Sequence, residues 1–210
     1  MIPVAKQPEP EVFNEKVRMP GQLFLKNNPS PKSIQFRHHN YWRHIKENLY
    51  QQYKNICAYT GEWFPEPSSS VDHFIPKSIE PQLAYEWDNY RLTTDIMNSI
   101  KGDKTDIADP FEVQFGWFVI ILPGCSITPC KNLNELDRKK IDNTITALQL
   151  NSYGRITSRY NIISAYINED ITFDFLKEKY PYIAYELERQ GSREEVADLF
   201  KPWDQINNDL

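Results

Sequence analysis

The sequence predicts an α+β protein: a small strand–loop–strand–helix unit embedded in a mainly helical chain. Three observations lead there. Residues 71–74 and 90–93 are short β-prone runs, and residues 95–101 after them read as a short helix. Before this unit, Trp42, Ile45, Leu49, Tyr53 and Ile56 step by three or four residues, which is the spacing of one helix face. Beyond it, residues 134–150 and 152–167 read as two helices joined at Asn151. The chain therefore divides into 1–56, a proline-rich arm with a basic helix; 57–104, the compact unit; and 105–210, a hairpin and helices ending in an acidic segment.

Each element has its own signal. Residues 1–31 hold six of the 15 prolines, and proline fixes φ and removes a donor, so this arm is expected to be extended. The helical stripe from Trp42 to Ile56 predicts one helix over about 36–54, its apolar face in the core. Cys57-Ala58-Tyr59-Thr60-Gly61 reads as a turn. Pro76 stops the first strand. Thr94 or Asp95 is the expected N-cap of the short helix, and Gly102 its stop. Residues 113–122 end in a continuous apolar run, and Pro123-Gly124 marks the turn of a hairpin. Residues 172–200 look helical and acidic.

Composition narrows the class. The 210 residues carry 24 Lys and Arg against 29 Asp and Glu, a net −5, with 40% apolar and 25% charged residues; this is a globular composition. The longest apolar run, residues 117–122, is six residues, far short of the ~18 to 20 a membrane helix needs. The N-terminal residues have no apolar signal-like stretch, and three cysteines suit a reducing compartment, so a cytoplasmic protein is expected. The charge is uneven. Residues 1–50 sum to +4, the other 160 to −9, and residues 169–210 alone to −6. From Lys26 to Lys46 there are five cations and no carboxylate, with Phe36, Tyr41 and Trp42 interleaved. A charge run usually means a solvated helix face; the absence of any acid and the aromatics favour a nucleic-acid backbone contact.

The chemistry-bearing stretch lies between. Asp72 and His73 are adjacent, Asn89 follows sixteen residues after His73, and Asn98 nine after Asn89. Neighbours on a strand point to opposite faces unless the strand bends, and a bend before Pro76 would bring both to one site. Oxygen donors from Asp72 and Asn98 suit a hard cation such as Mg²⁺ or Mn²⁺; Asp95 and Asp103 are further oxygen donors nearby. His73 is then free to take a proton from water, and Asn89, in the loop that faces the strand, to fix that histidine through backbone hydrogen bonds; these two are the candidate catalytic residues. Lys101, Arg91 and Lys77 within the unit, and Arg37, Arg43 and Lys46 before it, are the candidate phosphate contacts. Arg155 and Arg159, four apart on a predicted helix, either extend that track or pair with nearby carboxylates.

At these residues the chain resembles the HNH endonucleases, whose fold is a ββα-metal finger. The resemblance covers about 50 residues, from Cys57 to Lys104, and includes Trp87-Asp88-Asn89. It implies Asp72 as a metal-binding acid, His73 as the general base, Asn89 as the middle asparagine, and Asn98 as a metal ligand. Lys101 falls at a commonly basic position. Many members add two Cys-x-x-Cys pairs for a structural zinc; with only Cys57, Cys125 and Cys130 a four-thiolate zinc is excluded here by count. Residues 105–159 resemble, more loosely, the extension of bacterial HNH proteins of anti-phage systems such as Septu and some retrons, where an ABC-type ATPase is the partner. The expectation is a Mg²⁺- or Mn²⁺-dependent nuclease acting on DNA, RNA not being distinguished, with an ATPase partner. Two other readings stand beside it: a catalytically silent nucleic-acid-binding subunit, and a nuclease toxin with an immunity partner.

Overall fold

The computed structural model describes residues 1–191 and 193–201. The last nine residues of the acidic segment, 202–210, lie outside the described residues. The architecture is α+β, with two small antiparallel two-stranded sheets among helices. No helix of the described residues is long and apolar enough to cross a membrane.

The first sheet pairs β1 (Ser69–His73) with β2 (Tyr90–Thr94), in a register that sets Asp72 opposite Arg91 and His73 opposite Tyr90. Pro76 follows where the strand stops, as expected. The long connection carries two 3₁₀ turns, Pro81–Tyr85 and Trp87–Asn89. A short helix follows, Asp95–Lys101, and packs on both strands. Its N-cap is Thr94, whose hydroxyl accepts from the Met97 N–H at 3.1 Å, and Gly102 ends it at φ +50°. Both assignments came from residue chemistry, and both hold because a cap is a local bond.

Preceding this unit, the chain departs from the expected extended arm and single helix. It is extended only to about Pro10. Residues Asn14–Arg18 form a π turn that runs into helix α1 (Met19–Asn27). Phe13 and Val17 are fully buried, so core packing stabilises the helix the prolines argued against. Pro20 is tolerated because it follows the wide turn, in which the Met19 N–H reaches back to the Asn14 carbonyl. The expected helix over 36–54 is three pieces: α2 (Ser33–His38), a 3₁₀ turn Tyr41–Ile45, and α3 (Lys46–Gln52). Tertiary contacts break it at His39. The His39 ring stacks on Phe24 at 4.0 Å, and its carbonyl accepts from the Tyr85 hydroxyl at 2.7 Å. The apolar stripe still faces inward, with Ile45 and Leu49 fully buried.

In order, the helix Asp95–Lys101 is α4. The second sheet pairs β3 (Phe118–Ile121) with β4 (Ser126–Pro129) around the expected Pro123-Gly124 turn, although residues 113–117 are irregular chain with a turn at 115–116 rather than strand. Helices α5 (Glu135–Ala147), α6 (Tyr153–Ile167), α7 (Phe173–Lys179), α8 (Pro181–Gln190) and α9 (Arg193–Leu199) complete it. Asn151 joins α5 to α6 and also pairs with both backbone groups of Ile127, which fixes the hairpin to the helices. One buried cluster includes residues from Met1 to Val196. The N-terminal strand of chain is stitched across it: Gln7 accepts from the Trp87 indole N–H at 2.8 Å, and Val4 donates to the Pro110 carbonyl at 2.9 Å.

Candidate active site

A cavity of about 620 Å³ opens beside β1, between the 3₁₀ turn Tyr41–Ile45 and α4. Asp72, His73 and Asn98 all border it, together with Trp42, Arg43, Lys46, Lys77, Asp95 and Asp103. His73, the last residue of β1, is 6% exposed. Its Nε2 lies 2.9 Å from the Ala84 carbonyl. A carbonyl can only accept, so Nε2 carries the proton and Nδ1 keeps a free lone pair. Burial, then the nearby Lys77 charge, pushes the imidazole pKa down to about 3, against the pull of the Ala84 carbonyl. At neutral pH His73 is an uncharged base with one nitrogen anchored. The Trp42 indole lies edge-to-face against it at 4.7 Å, and Tyr90 at 5.1 Å.

Asn89 sits behind this histidine rather than in the cavity. Its Oδ1 accepts from the Ile75 N–H at 2.8 Å, and its Nδ2 donates to the Ile75 and Leu83 carbonyls at 3.0 and 3.1 Å. One amide therefore closes the loop from Ile75 to Leu83, and the next residue, Ala84, offers the carbonyl that holds His73. The expected backbone hydrogen bonds of Asn89 are thus made to Ile75 and Leu83, and Asn89 itself does not border the cavity.

Asp72 is 2% exposed and both of its oxygens have protein partners. The Tyr59 hydroxyl donates to Oδ2 at 2.5 Å, and Lys101 Nζ lies 3.1 Å from Oδ1. Burial pushes the carboxyl above its ordinary range, opposed by the Lys101 ammonium and the Tyr59 hydroxyl. Asn98, on α4, donates through Nδ2 to the Ser70 hydroxyl at 2.9 Å, which turns its Oδ1 away from that bond. Among the described residues no group of three or more His, Cys, Asp and Glu comes together. Besides the His73 nitrogen, the donors bordering the cavity are oxygens: Asp72, whose two oxygens each keep a second lone-pair position, the Asn98 amide oxygen, and the Asp95 and Asp103 carboxylates. That set fits a hard, mostly hydrated divalent ion and not a thiophilic one.

Two of the expected phosphate contacts are elsewhere engaged. Lys101 is wholly buried, and besides Asp72 it donates to the His73 carbonyl at 2.9 Å. Arg91 is 3% exposed: Nε and Nη2 grip Asp109 at 2.8 and 2.5 Å, Nη1 donates to the Asp88 and Tyr90 carbonyls, and the guanidinium lies 3.5 Å from the centre of the Phe111 ring. Both cations brace the unit instead of offering charge to a ligand, because their donors are taken by buried acceptors. Arg159 likewise is buried, bonded to the Cys125 and Leu150 carbonyls. Arg43 and Lys77 border the cavity without a close ion pair among the described residues, burial lowering the Lys77 ammonium pKa against the pull of Asp103 and Asp72, and Lys46 shares its charge with Glu66 at 3.4 Å. Arg37 is exposed and does not border the cavity.

Sequence reasoning passed over Tyr59, Asp109 and the catalytic-side position of Trp42. The Cys57–Gly61 turn contained Tyr59, but nothing local signals that its hydroxyl meets Asp72. Trp42 was read as part of the core stripe and as one of the aromatics in the cationic run, with no local signal that it packs against His73. No protein-family model matches this chain, and no curated protein matches it as a relative.

Proposed function

We propose that the protein is a metal-dependent endonuclease of the HNH type, with His73 as general base for phosphodiester hydrolysis in DNA. The observation that carries this reading is the placement of His73: anchored through Nε2 to the Ala84 carbonyl and bordering one cavity together with Asp72 and Asn98. The strand–strand–helix order of β1, β2 and α4 supports the finger assignment.

Asp72 and Asn98 would hold the divalent ion, whose contribution when bound is to stabilise charge on the scissile phosphate and the leaving oxygen. His73 Nδ1 takes a proton from the water that attacks phosphorus, as the bond from phosphorus to the 3′ oxygen breaks. Asn89 keeps the imidazole aimed by holding the loop that carries Ala84. Arg43, Lys46 and Lys77 attract the phosphates.

The test is plasmid nicking in Mg²⁺ or Mn²⁺, with and without chelator, for the wild type and His73→Ala. Cleavage lost on chelation and in the variant, with DNA binding kept, is the expected result. Equal cleavage by His73→Ala refutes the assignment. One observation favours the silent binding subunit: Lys101 and Tyr59 already satisfy Asp72 internally. DNA binding with no cleavage in any divalent metal would decide for that reading.

The chain's own charge suits a nuclease that works with help. Residues 57–104 hold four cations and eight carboxylates, so binding by the isolated chain is expected to be weak and steeply salt-dependent. An ABC-type ATPase in an anti-phage system, docking on the acidic C-terminal segment, is the partner we propose. Retention of the chain by such an ATPase, lost on neutralising that segment, is the expected result.

A further inference from the structure

One wall of the cavity combines an indole with a cation that makes no close ion pair among the described residues, though the Asp103 and Asp72 carboxylates attract it from farther off. Trp42 is half-buried and borders the cavity. Lys77 Nζ lies 5.3 Å from the centre of the Trp42 ring. No carboxylate of the described residues comes within 4.0 Å of Lys77 Nζ; Asp103 and Asp72 act on it only at longer range. The ammonium therefore rests on an aromatic face, an interaction of about 0.5–2 kcal/mol. A phosphate is a better partner for it, since a charge-assisted hydrogen bond replaces a cation–π contact. When the ammonium moves to a phosphate, it uncovers the indole. Arg43, next to Trp42 in sequence, and Lys46 one turn on, which shares its charge with Glu66, also border the cavity, as do Asp95 and Asp103.

We propose that Trp42 is a base-stacking platform, uncovered when Lys77 engages phosphate, and that the site takes single-stranded or locally unpaired nucleic acid in preference to intact duplex. This rests on the nuclease reading for its purpose but not for its test. In a duplex the phosphates face outward while each base is stacked on its neighbours. A phosphate beside His73 can then meet the indole with a base only if that base leaves the stack, which costs a few kcal/mol. A single strand has its bases free, and each can lie on an aromatic face. The cavity volume, about 620 Å³, lies in the range of pockets that enclose small ligands, and so suits a few unstacked groups of one strand.

The experiment measures binding by fluorescence anisotropy in chelator, on the full chain, with three probes of equal length: oligothymidylate, the same backbone with abasic sites throughout, and a duplex. The proposal expects wild type to bind oligothymidylate best. Trp42→Ala is expected to weaken that probe about tenfold, the range for losing one stacked base, and to leave the abasic probe unchanged. Trp42→Phe should retain most of the affinity, which separates stacking from a loss of support for the fold. Lys77→Gln should weaken both single-stranded probes. Equal affinities of wild type for base-bearing and abasic strands, or an equal loss on both with Trp42→Ala, overturns the platform. Tighter binding of duplex than of oligothymidylate overturns the strand preference. Cleavage assays run in parallel decide the nuclease reading separately, since a protein that never cuts can still show or lack the stacking signature.

Discussion

Replacing Asn89 by Ala removes three hydrogen bonds at a residue that is 6% exposed. The Ile75 N–H, the Ile75 carbonyl and the Leu83 carbonyl each lose a partner made at 2.8 to 3.1 Å. A buried backbone group left without its bond costs about 1–3 kcal/mol; these are partly buried, so the lower value applies, and three of them sum to about 3 kcal/mol. For a chain of this size each kcal/mol lowers Tm by about 2–4 °C, so the variant should melt about 6–12 °C below wild type. Asn89→Asp is a sharper probe. It keeps the acceptor for the Ile75 N–H but sets a carboxylate oxygen against two carbonyls. Its deficit should shrink as pH falls, because a protonated carboxyl can donate again. Thermal melts followed by circular dichroism across pH, with nicking assayed well below the variant's Tm, make the measurement. Cleavage should fall even where the protein is fully folded, since the Ala84 carbonyl loses its hold on His73. A Tm within about 2 °C of wild type for Asn89→Ala would show that other contacts close the loop, and the positioning argument would fall.

His73 predicts a pH signature measurable in chelator. Its pKa falls from the ordinary 6.5 to about 3 on folding, so its contribution to stability is complete above pH 6.5 and is lost as pH drops toward 3. At roughly pH 4.5 the loss is on the order of 3 kcal/mol, and urea midpoints of wild type should fall faster with acid than those of His73→Gln; parallel curves would contradict the buried neutral histidine. Lys101→Met should destabilise by about 3–5 kcal/mol because it strands Asp72, and adding Asp72→Asn should restore part of that; additive losses in denaturant melts would mean the two are not coupled. Gly21→Ala sets a Cβ 2.1 Å from the Tyr85 ring, which is buried and bonded to the His39 carbonyl, so a cost of at least about 1–3 kcal/mol is expected from urea unfolding, and a neutral effect would show the ring can move.

Local chemistry was legible from residues 69 to 102. Thr94 and Gly102 bound a helix because a hydroxyl cap and a left-handed stop act within one turn of chain. Pro76 ends a strand for an equally local reason. Asp72, His73 and Asn98 meet at one cavity because two paired strands and the helix that follows leave little freedom over so short a span. The arm and the first helices were misread where a distant partner decided. Phe13 and Val17 drive a helix that proline content argued against, since their burial outweighs a local preference. His39 leaves the helix because Phe24 and Tyr85 hold it there.

The cations make the division clearest. In sequence, Lys101, Arg91, Lys77 and Arg43 are equivalent positive charges near one motif. Composition and spacing alone determined that they cluster about the candidate base and two oxygen donors. Which of them can meet a ligand was decided only by packing: Lys101 and Arg91 are closed in against Asp72 and Asp109, while Lys77 and Arg43 border the cavity. A side chain's charge is a property of its residue type. Whether that charge is already neutralised depends on a carboxylate 18 or 29 residues away, which only the folded chain brings within bonding distance.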